Sequence, residues 1–268
     1  MISTLYKIGI ISYFKNRNSL IWSFGFVLVW ILIYAYGFPA PSGAYLKYTE
    51  STYISFILLF GISVSMASVV FYTVSMNLSI PYITRFNRVK SYEVSFSNIL
   101  SSLTFSMVVG IFAIIFSLLI FRLRFSSVYI KNIYMLIFIL IVISLFFTLL
   151  GLLFSYLLSL LNQVGSLKFI SQIPMILTFI LVLGLQIFRK PGPDLIYYSP
   201  FNAMFSIIIY SLTGKAGINY YHSGLNTNLL LISTLIWILS MVILVYVLEK
   251  LYETSGKRNQ YTLEDIFK

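Results

Sequence analysis

The chain alternates between long apolar runs and short polar connections. A helix that crosses a bilayer needs about 20 apolar residues. Runs suited to this role cover residues 20–37, 52–76, 98–121, 132–161, 173–188 and 229–248. Pro39 and Pro41 follow the first run, and the fourth run is longer than a bilayer requires. The pattern predicts an all-α membrane protein that forms a single domain of six transmembrane helices over residues 1–268.

An additional apolar periodicity precedes the first predicted span. Leu5, Ile8, Ile11 and Phe14 recur at intervals of three residues before the basic residue Arg17. Such spacing places one apolar stripe along a helix, so we expect an N-terminal helix that lies in the membrane interface. The alternative is the basic start of a cleaved signal peptide.

A second irregular element lies before the last span. Residues 195–212 are apolar, but Pro200 and Asn202 interrupt the run. Non-helical backbone at membrane depth is tolerated where protein or a water-filled cavity surrounds it. We therefore expect a re-entrant helical segment that dips into the outer leaflet, and a full additional span remains the alternative.

Composition excludes a soluble fold. Of the 268 residues, 59% are hydrophobic and 9% are charged, whereas soluble domains contain about 25% charged residues. The formal net charge of +11 resides largely at the ends of apolar runs, where anionic lipid head groups attract basic side chains. We therefore expect membrane lipids, and no nucleic acid, as partners. The absence of cysteine and the single His222 argue against disulfides and clustered metal ligands.

The interiors of the predicted spans contain no Asp, Glu, Lys, Arg or His. Ion-coupled transporters and intramembrane hydrolases need such residues at depth, so neither class is favoured. The chain also lacks the GxxxxGK[ST] phosphate-binding loop. We expect that the chain is not an enzyme and holds no cofactor, and that any ATP and Mg²⁺ are bound by a partner protein.

The connection between the second and third runs, Pro81 to Ile99, carries the densest charge cluster before the C-terminal tail. Apolar residues recur there near helical spacing, and basic residues occupy the other side. This pattern predicts a short amphipathic helix on the cytoplasmic membrane surface, and a plain basic turn is the alternative. The candidate contact residues are Arg85, Phe86, Arg88, Val89, Lys90 and Glu93.

An even number of spans places both termini on one side of the membrane. Eleven of the eighteen basic residues then lie on the side of the termini and seven on the other. Because cytoplasmic connections are enriched in Lys and Arg, we expect both termini of this multi-pass cell-membrane protein in the cytoplasm.

Small and polar residues form a stripe along the second predicted span. They step by three or four residues and so share one helix face. Small residues allow helix backbones to approach closely, and hydroxyl groups can bond across the contact. The stripe predicts a helix-packing seam, and the functional alternative, compatible with it, is a partly polar wall of a translocation path or a homodimer seam. Its members are Gly61, Ser65, Ser68, Tyr72 and Ser75. A second stripe of the same kind follows the third predicted span, with members Ser106, Gly110, Ala113 and Ser117.

Three stretches together resemble one transporter family. YFKNRNSLIWSFGFVLVWILIYAYGF suggests an interfacial helix, a basic turn and a first span; ITRFNRVKSYEVSFSNILSSL is similar to a coupling connection; YYSPFNAMFSIIIYSL is similar to outer re-entrant helices. In this arrangement the chain resembles the type 2 permeases of ATP-binding-cassette (ABC) transporters, and the resemblance covers nearly its whole length.

The resemblance implies an assembly and an activity. Two permease chains, identical or different, would bind two cytoplasmic ATPase subunits, and residues 83–96 would transmit ATP-driven movement to the spans. The cargo of such an exporter would be hydrophobic or amphiphilic, such as a drug, peptide, lipid or lipid-linked glycan. The alternatives are a membrane scaffold or assembly factor that transports nothing, and an ion-independent facilitator.

Overall fold

The structure, a computed structural model, describes residues 2–38, 45–87, 91–125, 130–161, 166–184, 193–217 and 224–254. These residues contain no β-strand, which confirms the predicted all-α class. They form nine helices: α1 (Ile2–Lys15), α2 (Arg17–Gly37), α3 (Tyr45–Asn87), α4 (Ser91–Phe125), α5 (Ile133–Leu160), α6 (Leu167–Val182), α7 (Pro193–Tyr198), α8 (Pro200–Thr213) and α9 (Thr227–Thr254).

Five of these helices are long and apolar enough to cross a membrane. The qualifying stretches are Arg17–Gly37, Tyr45–Asn77, Glu93–Phe125, Ile133–Leu160 and Thr227–Tyr252. Their number and length are those of a multi-pass membrane protein. The fifth predicted span, residues 173–188, falls on the shorter helix α6 instead, and residues 185–188 lie outside the described part of the chain.

Helix α3 is the centre of the bundle. It packs against α2, α4, α5, α6 and α8. Between Ile54 and Met66 its side chains are buried on every side of the helix. A helix that is apolar all round is suited to such a position, and the near-continuous apolar sequence of this stretch accounts for its burial.

Helix α3 begins earlier than the sequence predicts. The expected span starts at residue 52 and leaves Lys47 and Glu50 in a loop, whereas α3 already begins at Tyr45. Glu50 is only 4% exposed. Hydropathy treats charged residues as the end of a span, but these residues stay helical because no helix-breaking residue lies between Tyr45 and the apolar run.

The predicted amphipathic helix between the second and third spans is not a separate element. Helix α3 continues through Asn87 and α4 begins at Ser91, so the expected segment forms the facing ends of two long helices. Residues 88–90 lie outside the described residues. Apolar residues with a period of 3.6 are equally compatible with a short helix and with two long helices that meet, so periodicity could not distinguish them.

Helix α8 is a short, buried helix inside the bundle. Ser199 caps its start, Pro200 occupies its first turn, and every residue except Tyr210 is buried. It packs against α3, α5 and α9. Its other end is tied to the start of α5, because the backbone N–H groups of Lys131 and Asn132 donate to the carbonyl oxygen of Ser211 at 3.1 and 2.9 Å.

Gly214 ends α8 in the left-handed conformation, with φ of 82°. A Cβ at this position would lie 2.5 Å from Nζ and 2.8 Å from Cε of Lys131. Glycine therefore serves two purposes here, the backbone conformation and the close approach of Lys131 to the negative end of the helix dipole.

We expect Gly214→Ala to lower the free energy of unfolding by about 1–2 kcal/mol, because a Cβ is unfavourable in the left-handed conformation. The thermal midpoint of the purified protein, followed by circular dichroism, measures the effect. Gly25→Ala is the control, since Gly25 has a helical φ of −63° and its Cβ position has a single neighbour, Cγ2 of Ile21, at 4.0 Å. A Gly214→Ala protein that melts like the wild type would contradict this account of the helix end.

Candidate functional site: a polar junction and an aromatic ladder

Helix α1 is bound along its whole length to the first half of α4. At its start, the Ser97 hydroxyl donates to the carbonyl oxygen of Ile2 at 3.2 Å. In the middle, the hydroxyls of Tyr6 and Thr104 lie 3.1 Å apart. These contacts join residues that are about a hundred positions apart in sequence, so α1 is a docked element of the bundle.

Tyr13 anchors the last turn of α1. Its ring stacks on Phe105 of α4 with centroids 4.7 Å apart, and it meets Tyr72 of α3 at 4.9 Å. Its hydroxyl lies 2.8 Å from that of Ser102. Burial raises the pKa of the Tyr13 phenol well above its ordinary value, so the group stays neutral and keeps this hydrogen bond over the whole physiological pH range.

Asn98 extends this contact to α3. Its Nδ2 donates to the Thr73 hydroxyl at 3.0 Å, and its Oδ1 accepts from the Ser102 hydroxyl at 3.3 Å. Thr73, Asn98, Ser102 and Tyr13 therefore form a continuous buried chain across three helices, which we term the polar junction. Buried hydrogen bonds in apolar surroundings fix the relative position of the elements they join.

A glycine allows α1 to approach α3 and α4 closely enough for this junction. A Cβ on Gly9 would lie 2.6 Å from the Ser101 hydroxyl oxygen and 3.1 Å from the Tyr72 hydroxyl oxygen. Any larger residue would push α1 away from α3 and α4. Gly9 is the only glycine in α1, so it is the one residue of this helix whose type indicates a close helix contact. The residues around it do not indicate which helix makes that contact.

The predicted coupling residues lie around the connection between the end of α3 and the start of α4. Arg85 and Phe86 are helical residues near the end of α3. Glu93 lies in the first turn of α4, where the positive end of the helix dipole favours a carboxylate. The other predicted coupling residues, Arg88, Val89 and Lys90, lie outside the described residues. The polar junction begins about one turn beyond Glu93, at Asn98.

The predicted stripe on α3 faces other helices of the same chain at two of its positions. A Cβ on Gly61 would lie 2.7 Å from Cγ2 of Val27 on α2 and 3.9 Å from Cβ of Ala113 on α4. Tyr72 packs against Tyr13 of α1. Over these residues the stripe is a place of close helix approach.

The serines of the stripe bond within their own helix. The hydroxyl of Ser65 donates to the carbonyl oxygen of Ile62 at 2.7 Å, and that of Ser75 to Phe71 at 2.9 Å. Ser68 is half-buried. Such bonds satisfy hydroxyl groups at depth without help from a neighbouring helix, so these serines need no ligand to be stable where they are.

A group of aromatic rings, not identified from the sequence, joins α2, α3 and α6. Neighbouring ring centroids lie 4.5 to 6.5 Å apart, within the range of favourable aromatic contacts. We term this group the aromatic ladder. Its members are Trp30, Tyr34, Tyr53, Phe56, Phe60 and Phe179.

The aromatic ladder reaches the surface of the bundle on one side. Phe56 and Phe60 are buried, Trp30 and Tyr53 are half-buried, and Phe179 is exposed. The helices that supply it are irregular, because α2 has π-helical turns at Ile21–Gly25 and Ile33–Gly37, and Phe179 begins another at Phe179–Gly184. Single π-helical turns occur frequently at functional sites, so the ladder is a candidate surface for an apolar ligand.

Among the described residues, no group of three or more His, Cys, Asp or Glu side chains could hold a metal ion. Comparison with known proteins finds no protein family whose model matches the chain and no curated protein that matches it. The polar junction, the aromatic ladder and helix α8 are therefore the features of the chain that indicate a function.

Proposed function

We propose that this chain is the transmembrane permease subunit of an ATP-driven ABC exporter of type 2. The observation that carries the proposal is the polar junction, because it joins α1, α3 and α4 beside the connection that bears the basic cluster. An ATPase that binds this connection would move three helices together. A rigid unit of this kind could transmit movement of the cytoplasmic ATPase to the transmembrane helices. We term this unit the lever.

The length of α3 supports an aqueous docking surface. Its 43 residues correspond to about 65 Å at the rise of an α-helix, whereas a bilayer with its head groups measures about 40–45 Å. One end of α3 would therefore project from the membrane. The basic residues Arg85, Arg88 and Lys90 lie at or just beyond the Asn87 end, where an acidic face of an ATPase could meet them.

The distribution of charge supports an energy source outside the membrane. In the five long apolar helices, Asp, Glu, Lys, Arg and His occur only within about two turns of an end, and α5 and α8 contain none of them. Ion-driven transport normally uses carboxylates or histidines deep in the bundle. ATP bound with Mg²⁺ by a separate cytoplasmic subunit would supply the energy instead.

The proposed path suits a hydrophobic or amphiphilic cargo. The aromatic ladder supplies apolar contacts at the bundle surface, where a second permease chain would complete the path. In this arrangement α7 and α8 form a re-entrant element in the outer leaflet, since the 14 residues of α8 correspond to about 21 Å and a hydrocarbon core is about 30 Å thick. Both termini would then lie in the cytoplasm.

Purification of the tagged chain from its native membrane in mild detergent tests the proposal. We expect a soluble ATPase to co-purify in equal amount and to hydrolyse ATP. Exchanging the charges with Arg88→Glu and Glu93→Arg should reduce the co-purified ATPase severalfold, because it reverses the charge pattern at the docking end while the net charge is kept.

Arg124→Glu serves as the control, because Arg124 is exposed at the opposite end of α4. It should leave the complex intact. A chain that purifies alone and shows no nucleotide-linked activity would reject the permease proposal in favour of a scaffold or a facilitator. Equal loss of ATPase in both variants would reject the assigned docking end.

A further inference from the structure

Helix α8 begins in the middle of the bundle. Its C-terminal turn is bonded to Asn132 at the start of α5, whereas the ring of Phe201, in its first turn, contacts Phe146 and Phe147 of α5 at 5.6 and 5.8 Å. At about 1.5 Å per residue, those rings lie about 21 Å along α5 from Asn132. The N-terminus of α8 is therefore half-way along α5, where Pro200 and Phe201 are buried and the capping residue Ser199 is half-buried.

A helix N-terminus carries unpaired N–H groups and a partial positive charge. In α8 the capping is weak. Pro200 contributes no N–H group, and the hydroxyl of Ser199 accepts from the N–H of Asn202 at 3.5 Å, the outer limit for a hydrogen bond. The N–H of Ala203 donates to the carbonyl oxygen of Ser199 at 2.9 Å, which leaves the N–H of Phe201 as the one backbone donor of this turn without a partner among the described residues.

Asn202 provides an independent indication of a ligand. It is 1% exposed, and its Nδ2 has no hydrogen-bond partner. One turn later, the buried hydroxyl of Ser206 has none either. The Cα–Cβ bonds of a helix tilt towards its N-terminus, so the side chain of Asn202 leans towards the end where the N–H of Phe201 has no partner. Buried polar groups without partners are costly, and native proteins rarely keep them without a reason.

We propose that the N-terminal turn of α8 and Asn202 bind the acidic head group of an amphiphile, a carboxylate or a phosphate. Helix N-termini within a bundle bind anionic groups in this way. Neither α5 nor α8 carries an acidic residue that would repel the anion. The rings of Phe146, Phe147 and Phe201 would contact the apolar tail next to the head group.

This inference depends on the proposed function only in taking the amphiphile as cargo, because the binding itself needs no ATPase. The purified chain, reconstituted in nanodiscs of phosphatidylcholine, is titrated with dodecanoate and with dodecanol. We expect dodecanoate to bind more tightly. Asn202→Leu should weaken dodecanoate binding about tenfold, the loss of one hydrogen bond to a charged group, and leave dodecanol binding unchanged. Asn202→Asp should abolish dodecanoate binding, since it adds a negative charge.

Asn77→Leu is the matched control, because Asn77 is also buried with an unpartnered Nδ2 and lies elsewhere, on α3. It should bind dodecanoate like the wild type. Thermal midpoints of all variants check folding, and Asn202→Ser, which keeps a donor, should retain part of the binding if Asn202→Leu proves unstable. Equal affinity of the wild type for dodecanoate and dodecanol would overturn the inference, as would full dodecanoate binding by Asn202→Leu.

Adding phosphatidylglycerol to the nanodiscs identifies the source of the acidic group. Competition with dodecanoate in the wild type would assign the site to a membrane lipid. Lack of competition would assign it to a free amphiphile, and both results support an anion site. A chain that binds dodecanoate through Asn202 but never co-purifies with an ATPase would keep the site and reject the transport proposal.

Discussion

Replacing Gly9 with leucine should detach α1 from the α3–α4 hairpin while the long apolar helices remain folded. No Cβ fits between Gly9 and Ser101 without movement, and leucine adds three further carbons at the same point. The hydrogen bond between Tyr13 and Ser102 should break with the displacement. If the polar junction is the lever of an exporter, ATP hydrolysis should continue without export in this variant.

Docking of α1 can be measured without knowledge of the cargo. The chain has no cysteine, so single cysteines can replace Tyr6 and Thr104, whose hydroxyls lie 3.1 Å apart. A short bismaleimide reagent should link them in the Gly9 protein. We expect Gly9→Leu to reduce the yield at least severalfold, since an undocked α1 no longer holds the two thiols together.

Ile11→Leu is the control for this experiment, because Ile11 lies on the exposed side of α1. Its crosslinking yield should equal that of the parent protein. Undiminished crosslinking in Gly9→Leu would mean that α1 docks without the close approach at Gly9, and the lever would then need another basis.

Hydrophobic runs alone predicted the all-helical class and most of the long helices. They did so because the bilayer sets a length and an apolarity that a sequence shows directly. They failed where a helix extends beyond its apolar run. Lys47 and Glu50 belong to α3, and the Asn87 end of the same helix continues past the predicted span, since helical hydrogen bonding does not stop where hydropathy falls.

The polar junction could not have been predicted in the same way. Tyr13, Thr73 and Asn98 come from three helices, and their contacts depend on how those helices cross. The sequence does contain a signal in Asn98, a carboxamide near an apolar run that needs a partner when buried. What it lacks is the identity of that partner, because long-range pairing leaves no local pattern. The aromatic ladder was missed for the same reason.

For helix α8, in contrast, the sequence did contain a local signal. Pro200 and Asn202 indicated an interrupted segment before the last helix, and the structure has a short helix there whose first turn holds both residues. Proline suits the first turn of a helix because its missing N–H is not needed there. The sequence could not tell how deep the helix starts, since depth depends on the contacts of Phe201 with α5.

Gly110→Val should destabilise the bundle more than any polar substitution in the small-residue stripes. A Cβ at Gly110 of α4 would meet Cδ1 of Leu140 on α5 and lie 3.0 Å from Cδ1 of Ile62 on α3. Three helices therefore converge on a position with no side chain. Overpacking of a well-filled core typically costs about 1–3 kcal/mol, which corresponds to a fall of about 3–10 °C in the thermal midpoint.

Gly25→Val is the control that adds the same side chain where there is room for it. The Cβ position of Gly25 on α2 has a single neighbour, Cγ2 of Ile21, at 4.0 Å. This variant should melt within about 2 °C of the wild type, since a half-buried helix position with open space for the added side chain changes stability only slightly. Ser65→Ala should also be nearly neutral, because its hydroxyl bonds only the carbonyl of Ile62 in the same helix.

The same three variants distinguish the two roles that the sequence left open for the stripes. A packing seam requires that added bulk at Gly110 lowers the thermal midpoint and that loss of the Ser65 hydroxyl changes neither stability nor ligand binding. The wall of a translocation path requires a change in ligand binding with Ser65→Ala, whatever the thermal midpoint of Gly110→Val. Equal midpoints for Gly110→Val and Gly25→Val would contradict the close contact of α3, α4 and α5 on which the seam depends.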